Sequence, residues 1–204
     1  MPIVINGSGT VTGISVGGLP DGIVDAGTLA TDSVDSAELI DGAVDTAHLA
    51  SATRGKIVQV VYVQDLTVKT TTDVIAHDDT IPQNDEGVEV LSLAITPTSA
   101  SNKLFFTTSG ACACSGAQEQ HVIALFQDST ANALACLSQR GTSQTNNDQT
   151  LTLSYVMTAG TTSATTFKVR LGSTGGTLTT NGHGGSREYG GVQTTSLTIM
   201  EIAV

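Results

Sequence analysis

The chain has 204 residues, with 8 Lys and Arg against 19 Asp and Glu, a net charge of −11, and 3% aromatic residues without a Trp. Such a balance disfavours nucleic acid as a partner, because grip on phosphates comes from clustered Lys and Arg. No run reaches the ~18–20 apolar residues of a membrane-spanning helix, and "MPIVINGSGT" lacks the basic region and apolar core of a secretory leader.

Charge is divided unevenly along the chain. Residues 1–50 hold six Asp and one Glu and no Lys or Arg, so they carry −7; the other 154 residues carry 12 acidic and 8 basic groups, or −4. The three Cys make no disulfide framework, and their odd number suits a protein matured in a reducing cytosol.

Residues 1–20 contain no attachment motif. Residues 21–50, "DGIVDAGTLA TDSVDSAELI DGAVDTAHLA", repeat one phrase three times. Val24, Leu29, Val34, Leu39, Val44 and Leu49 recur every five residues. Steps of five walk around an α-helix instead of holding one face, and they alternate faces on a strand. They also miss the three-and-four rhythm of a coiled coil.

Each decamer therefore divides into an extended piece ending in Val and one short helical turn. The turn opens at Asp, and Asp35 with Glu38 forms a capping-box pair. Ordering ten residues costs on the order of 10–20 kcal/mol of backbone entropy, and two aliphatic side chains return only a few kcal/mol. The Val and Leu stripe thus requires other surface, most simply further copies of itself. A disordered acidic linker is the plain alternative.

From residue 56 the composition turns to Thr, Ser, Gly and Val. Strands are predicted at 56–66, 87–96, 102–114, 120–128, 131–140, 149–158, 164–173 and 194–203, with a shorter candidate at 73–77. "KIVQVVYVQDL" is apolar on both parities, which predicts a strand buried on both faces. Gly110 within 102–114 predicts a bulge or kink. The spacing leaves no room for crossover helices, so the expected fold is all-β: an antiparallel β-sandwich or jelly roll.

The decamers resemble the shaft repeats of bacteriophage tail fibres. "ITPTSASNKLFF", "TTSATTFKVRLGSTGGTLTTN" and the terminal "TSLTIMEIA" resemble the C-terminal β-sandwich knob of such fibres. One departure lies before the closing Leu, where such repeats often carry Lys and this chain has Thr28, Glu38 and His48. The resemblance implies a virion-attachment segment at 1–20, a homotrimeric shaft at 21–56 with the six Val and Leu residues at its core, and a receptor-binding knob at 57–204. It further implies a virion protein assembled in the host cytoplasm. A tail or capsid protein would hold its N-terminus, and a host surface glycan or outer-surface protein would be bound at its tip. A head fibre or decoration protein, a polysaccharide-degrading spike and a cellular ligand-binding sandwich are the competing readings.

Catalytic chemistry finds little support. GxSxG, HExxH and P-loop motifs are missing, and the knob carboxylates Glu119, Asp128, Asp148 and Glu188 sit in or beside loops. No cofactor is implied. Cys112 and Cys114 face the same way on one strand and Cys136 lies on another. A zinc site would need a fourth ligand such as His121, whereas three small buried hydrophobes need nothing more. The His77-Asp78-Asp79 triplet reads as a solvated loop, so no metal site is expected.

The most singular segment is "GSTGGTLTTNGHGGSREYGG" at 172–191, a long loop in which five glycines surround His183, Arg187, Glu188 and Tyr189. The polar "RGTSQTNNDQ" at 140–149 adds Gln144 and Asn147. Strand parity decides whether these share an end. If 73–77 is no strand, loops 115–120, 141–148 and 174–193 lie together away from the shaft. If it is one, loops 128–131 and 159–163 take that place. Polar and aromatic variety favours the first case, so Gln144, Asn147, His183, Arg187 and Tyr189 are the expected receptor contacts.

Overall fold

The computed structural model describes residues 56–204. The shaft-core positions Val24, Leu29, Val34, Leu39, Val44 and Leu49, and the attachment segment 1–20, lie outside the described residues.

Eight long strands carry the architecture: β1 (Ile57–Asp65), β3 (Val88–Ile95), β4 (Lys103–Cys114), β5 (Gln120–Gln127), β6 (Ala135–Arg140), β7 (Asn147–Thr158), β8 (Thr165–Ser173) and β12 (Thr195–Ile202). Four short ones decorate it: β2 (Lys69–Thr71), β9 (Leu178–Thr180), β10 (Gly182–His183) and β11 (Ser186–Arg187). Among the described residues the sole helical feature is a 3-10 turn at Tyr189–Gly191.

The long strands pair from the outside inwards. β1 pairs β12, β3 pairs β8, β4 pairs β7 and β5 pairs β6, all antiparallel. Further pairs, β12 with β4 and β5 with β8, close two sheets. That is a long hairpin of strand pairs folded over on itself, the jelly-roll form of the β-sandwich.

Sequence alternation explains which faces meet. On β4, Leu104, Phe106, Cys112 and Cys114 are buried, while Lys103, Phe105, Thr107 and Ser109 point the other way. Leu151, Leu153, Leu197 and Ile199 join them from the same sheet; Leu91, Ile95, Ile123, Leu125, Phe167, Val169 and Leu171 meet them from the second. Phe106 and Phe167 cross the interior edge to face with ring centroids 4.6 Å apart. Fully burying one such side chain stabilises the fold by about 1.5–3 kcal/mol.

Several expectations change. β1 lies at a sheet edge, and one of its faces stays open: Val58, Val60 and Tyr62 are 43%, 50% and 72% exposed. Its double-sided apolar character is therefore not double-sided burial within one chain. Gly110 makes no bulge, because β4 and β7 keep one register throughout. A Cβ there would instead meet Leu171 Cδ1 and the Thr195 side chain at 3.2 Å. Gly110 is small because the opposite sheet comes close. Residues 73–77 form no strand; the strand in that connection is β2, and Val74 makes only an isolated bridge to Ser173. The segment 172–191 is not one open loop, since it contains β9, β10 and β11. Cys112 and Cys114 are buried, but Cys136 is exposed on β6.

Candidate functional site

The turns β4–β5 and β6–β7 and the connection after β8 converge at one end of the sandwich. Gln118 N–H donates to Thr142 O at 2.7 Å, Gly141 N–H to Glu119 O at 2.8 Å, Thr174 N–H to Gln120 O at 3.0 Å and Ser115 N–H to Thr177 O at 3.0 Å. β2 pairs with β9, one from each long connection, so these excursions leave the parity of the eight long strands intact. Lys56, where the described chain begins, accepts from Ala203 N–H at 2.7 Å, beside Lys103 and Thr158 at the opposite end. The loop cluster therefore lies at the end of the sandwich opposite Lys56.

Asn181 fastens this end. It sits at φ +53°, a left-handed conformation that Asn tolerates better than most residues. Its side-chain amide donates to Asp65 O at 2.8 Å and Thr67 O at 3.2 Å, and its carbonyl accepts from Thr195 Oγ1 at 2.9 Å. The chain then turns sharply into the β10–β11 hairpin, where a Cβ on Gly182 would strike the Ser186 carbonyl.

His183 leaves that hairpin towards β7, and its Nδ1 lies 3.0 Å from Asp148 Oδ1. Donating to the Asp148 carboxylate raises the imidazole's pKa above its ordinary 6.5. Arg187 is exposed on β11, and Tyr189 is exposed in the 3-10 turn. Gln144 is exposed in the β6–β7 turn.

Asn147 behaves differently from its expected role as a displayed contact. It is buried, accepts from Thr142 N–H at 3.3 Å, and donates to Gln144 O at 3.0 Å. It shapes the turn that presents Gln144. Its neighbour Asn146, at φ +52°, is the exposed amide. Sequence alone offers no way to choose between two adjacent Asn in a turn, since one backbone reversal exchanges their directions.

Asn146 lines an open groove of about 330 Å³ with Thr70, Ser115, Thr177, Thr179, Gly184 and Gly185. The lining is hydroxyl, amide and glycine backbone, without a charged side chain. Beneath the same loops lies His121, wholly buried, with neither ring nitrogen hydrogen-bonded. Burial pushes its pKa down, and the nearby carbonyls of Gln139, Asn147 and Glu119 offset this only in part. Among the described residues no cluster of three or more His, Cys, Asp and Glu side chains is placed to hold a metal ion.

A second cavity, of about 250 Å³, lies on the other sheet with Glu89, Lys168 and Arg170 in its wall. Those charges are already matched. Lys168 Nζ is 3.2 Å from Glu89 Oε2, and Arg170 donates to the carbonyls of Glu86 and Gly87 at 2.6 and 2.8 Å.

No family model matches the chain, and no curated protein matches it. Among solved structures, it is similar to the dimeric latent PorU of Porphyromonas gingivalis at 10% identity and a TM-score of 0.34, over 70% of this chain and 13% of that one. A structure of infectious bursal disease virus, Gx strain, aligns at 11% identity and a TM-score of 0.36, over 72% of this chain and 37% of the other. The enzymatically active domain of bacteriophage CBA120 tailspike protein 4 aligns at 14% identity and a TM-score of 0.27, over 59% and 18%. This chain thus spans well under two thirds of each of those three, and none of the likenesses assigns it a function. Among the described residues no helix is long and apolar enough to cross a membrane.

Proposed function

We propose that this chain is a non-enzymatic bacteriophage fibre protein whose β-sandwich knob binds the host surface. The fibre assembles as a homotrimer through the repeats at 21–56, is held on the virion through residues 1–20, and carries its knob at the free end. The observation that supports this reading best is the position of the loop cluster. Arg187, Tyr189 and Gln144 stand exposed, with His183 half-buried among them, at the end of the sandwich opposite Lys56. The uncharged groove beside them presents hydroxyls and an amide, which suits the hydroxyls of a surface glycan. An aromatic ring such as Tyr189 adds a flat apolar surface with a polar tip.

The test is adsorption. A variant with Gln144, Asn146, His183, Arg187 and Tyr189 all changed to Ala or Ser should stop binding host cells. Its mass in solution and its melting temperature should be retained, because none of these side chains is in the core. Undiminished adsorption by that variant overturns the assignment of this end.

A further inference from the structure

The outer face of the sheet containing β1, β12, β4 and β7 bears an apolar band. Register places Val60 beside Met200, Met200 beside Phe105, and Phe105 beside Val156, one row across four strands. Tyr62, Thr198, Thr107 and Ser154 form the next row. Val60, Tyr62 and Val156 are 50%, 72% and 52% exposed.

Charge is scarce on this face. Among the outward side chains of these four strands, Lys103 lies at one end and Asp148, paired with His183, at the other; the rest are apolar, hydroxyl or amide. The opposite sheet differs, because its outer side carries the Glu89, Lys168 and Arg170 cluster. Residues 51–204 carry a net −4, so copies of the sandwich meet with mild mutual repulsion. The apolar band, with charge only at its two ends, is where they approach with few charged groups to desolvate.

The point of attachment adds a second argument. Fifty-five residues precede the described chain, and they lead through Lys56 straight into β1, whose Val58, Val60 and Tyr62 begin the band. Those residues include the repeats whose Val and Leu stripe calls for further copies. A strand leaving a region shared between copies delivers its own apolar parity to the same neighbours. This also accounts for why β1 is apolar on both parities while one chain buries only one of them.

We propose that the outer face of the β1–β12–β4–β7 sheet packs against a second copy of this chain, with the row Val60, Met200, Phe105 and Val156 at the centre of the contact. The inference rests on the assembled-fibre reading above and names the surface through which its knobs meet. Eight residues at about 3.3 Å across four strands about 4.8 Å apart make a face roughly 26 by 14 Å between strand axes. That is a substantial part of the ~800 Å² which one partner contributes to an ordinary stable interface.

The experiment uses the full chain with Ser154→Cys, whose new thiol stands on this face, and native Cys136 as an internal exposed reference. Maleimide labelling is followed at each site by peptide mass, with light scattering on the same sample. The expected result is a mass of several chains and labelling at position 154 at least tenfold slower than at Cys136. Adding Val60→Asp and Val156→Asp should restore fast labelling at 154. Equal rates in a sample of several chains' mass overturn the face and leave the fibre reading standing. Equal rates at one chain's mass overturn both. Protection of position 154 at one chain's mass means that the chain's own N-terminal segment covers the face, which also overturns the proposal.

Discussion

Among the described residues Glu201 is the acidic side chain on which the fold leans most. It is wholly buried, and its carboxylate accepts from Thr98 N–H and Oγ1 at 2.8 Å, from Asn102 Nδ2 at 2.6 Å, and from Gln59 Nε2. Burial by itself raises its pKa, but these donors outweigh burial and bring it from 4.5 down to about 2. A carboxyl with a depressed folded pKa contributes stability that is complete above its unfolded value and is lost as pH falls through the folded one. Acid titration of the melting temperature should therefore show a loss between about pH 4.5 and about pH 2, on the order of 3 kcal/mol for this group. Glu201→Gln should abolish that portion of the pH dependence and lower stability at neutral pH by about 2–3 kcal/mol, since an amide N–H₂ would face existing donors. A variant whose acid profile matches the unsubstituted protein would show that Glu201 does not set it. Nothing in "TSLTIMEIA" singles this residue out. Its alternating pattern puts Glu201 on the inward parity with Leu197 and Ile199, and only the fold supplies the donors around it.

Short elements decide the shape of the loop end. β9 to β11 and the Asn181 corner occupy a stretch that reads as glycine-rich loop, because strands of two or three residues leave no periodicity to detect. Asn181 holds the end of β1 and the start of β12 together through three side-chain hydrogen bonds. Asn181→Gly separates its two roles, since Gly adopts positive φ freely but cannot bridge the strands. Unfolding in urea should show a loss of about 1–3 kcal/mol, the cost of leaving the buried Thr195 hydroxyl unpaired and the partly exposed Asp65 and Thr67 carbonyls without their amide donor. Stability equal to that of the parent chain would show that the backbone turn alone is enough. By contrast, all eight long strands were legible to within a few residues, because each is long enough to show alternation between turn signals. β6, predicted at 131–140 and found at Ala135–Arg140, shifted most, since an exposed edge strand has weak alternation to mark its start.

For the whole molecule the governing quantity is how much apolar surface one chain can cover. The open face of β1 leaves more than a single copy buries, and the fibre reading supposes the same of the repeats. Light scattering at micromolar concentration should give about three times the 20.8 kDa of one chain. A one-chain mass would end the fibre reading. Leu39→Asp should make residues 21–50 more sensitive to protease and leave the knob's melting transition in place; unchanged resistance in that segment would count against a shared shaft. The sequence by itself determined the all-β class, the positions of the long strands and the division into an acidic repeat without Lys or Arg and a β-rich region of mixed, lower net charge. Those properties follow from composition and from periods of two, which are local. Only the tertiary structure decided that Asn146 and not Asn147 is displayed, that Gly110 answers to Leu171 and Thr195, and that Val60, Met200, Phe105 and Val156 form one row. Each depends on register between strands far apart in the chain, and register is set by the packing of both sheets at once.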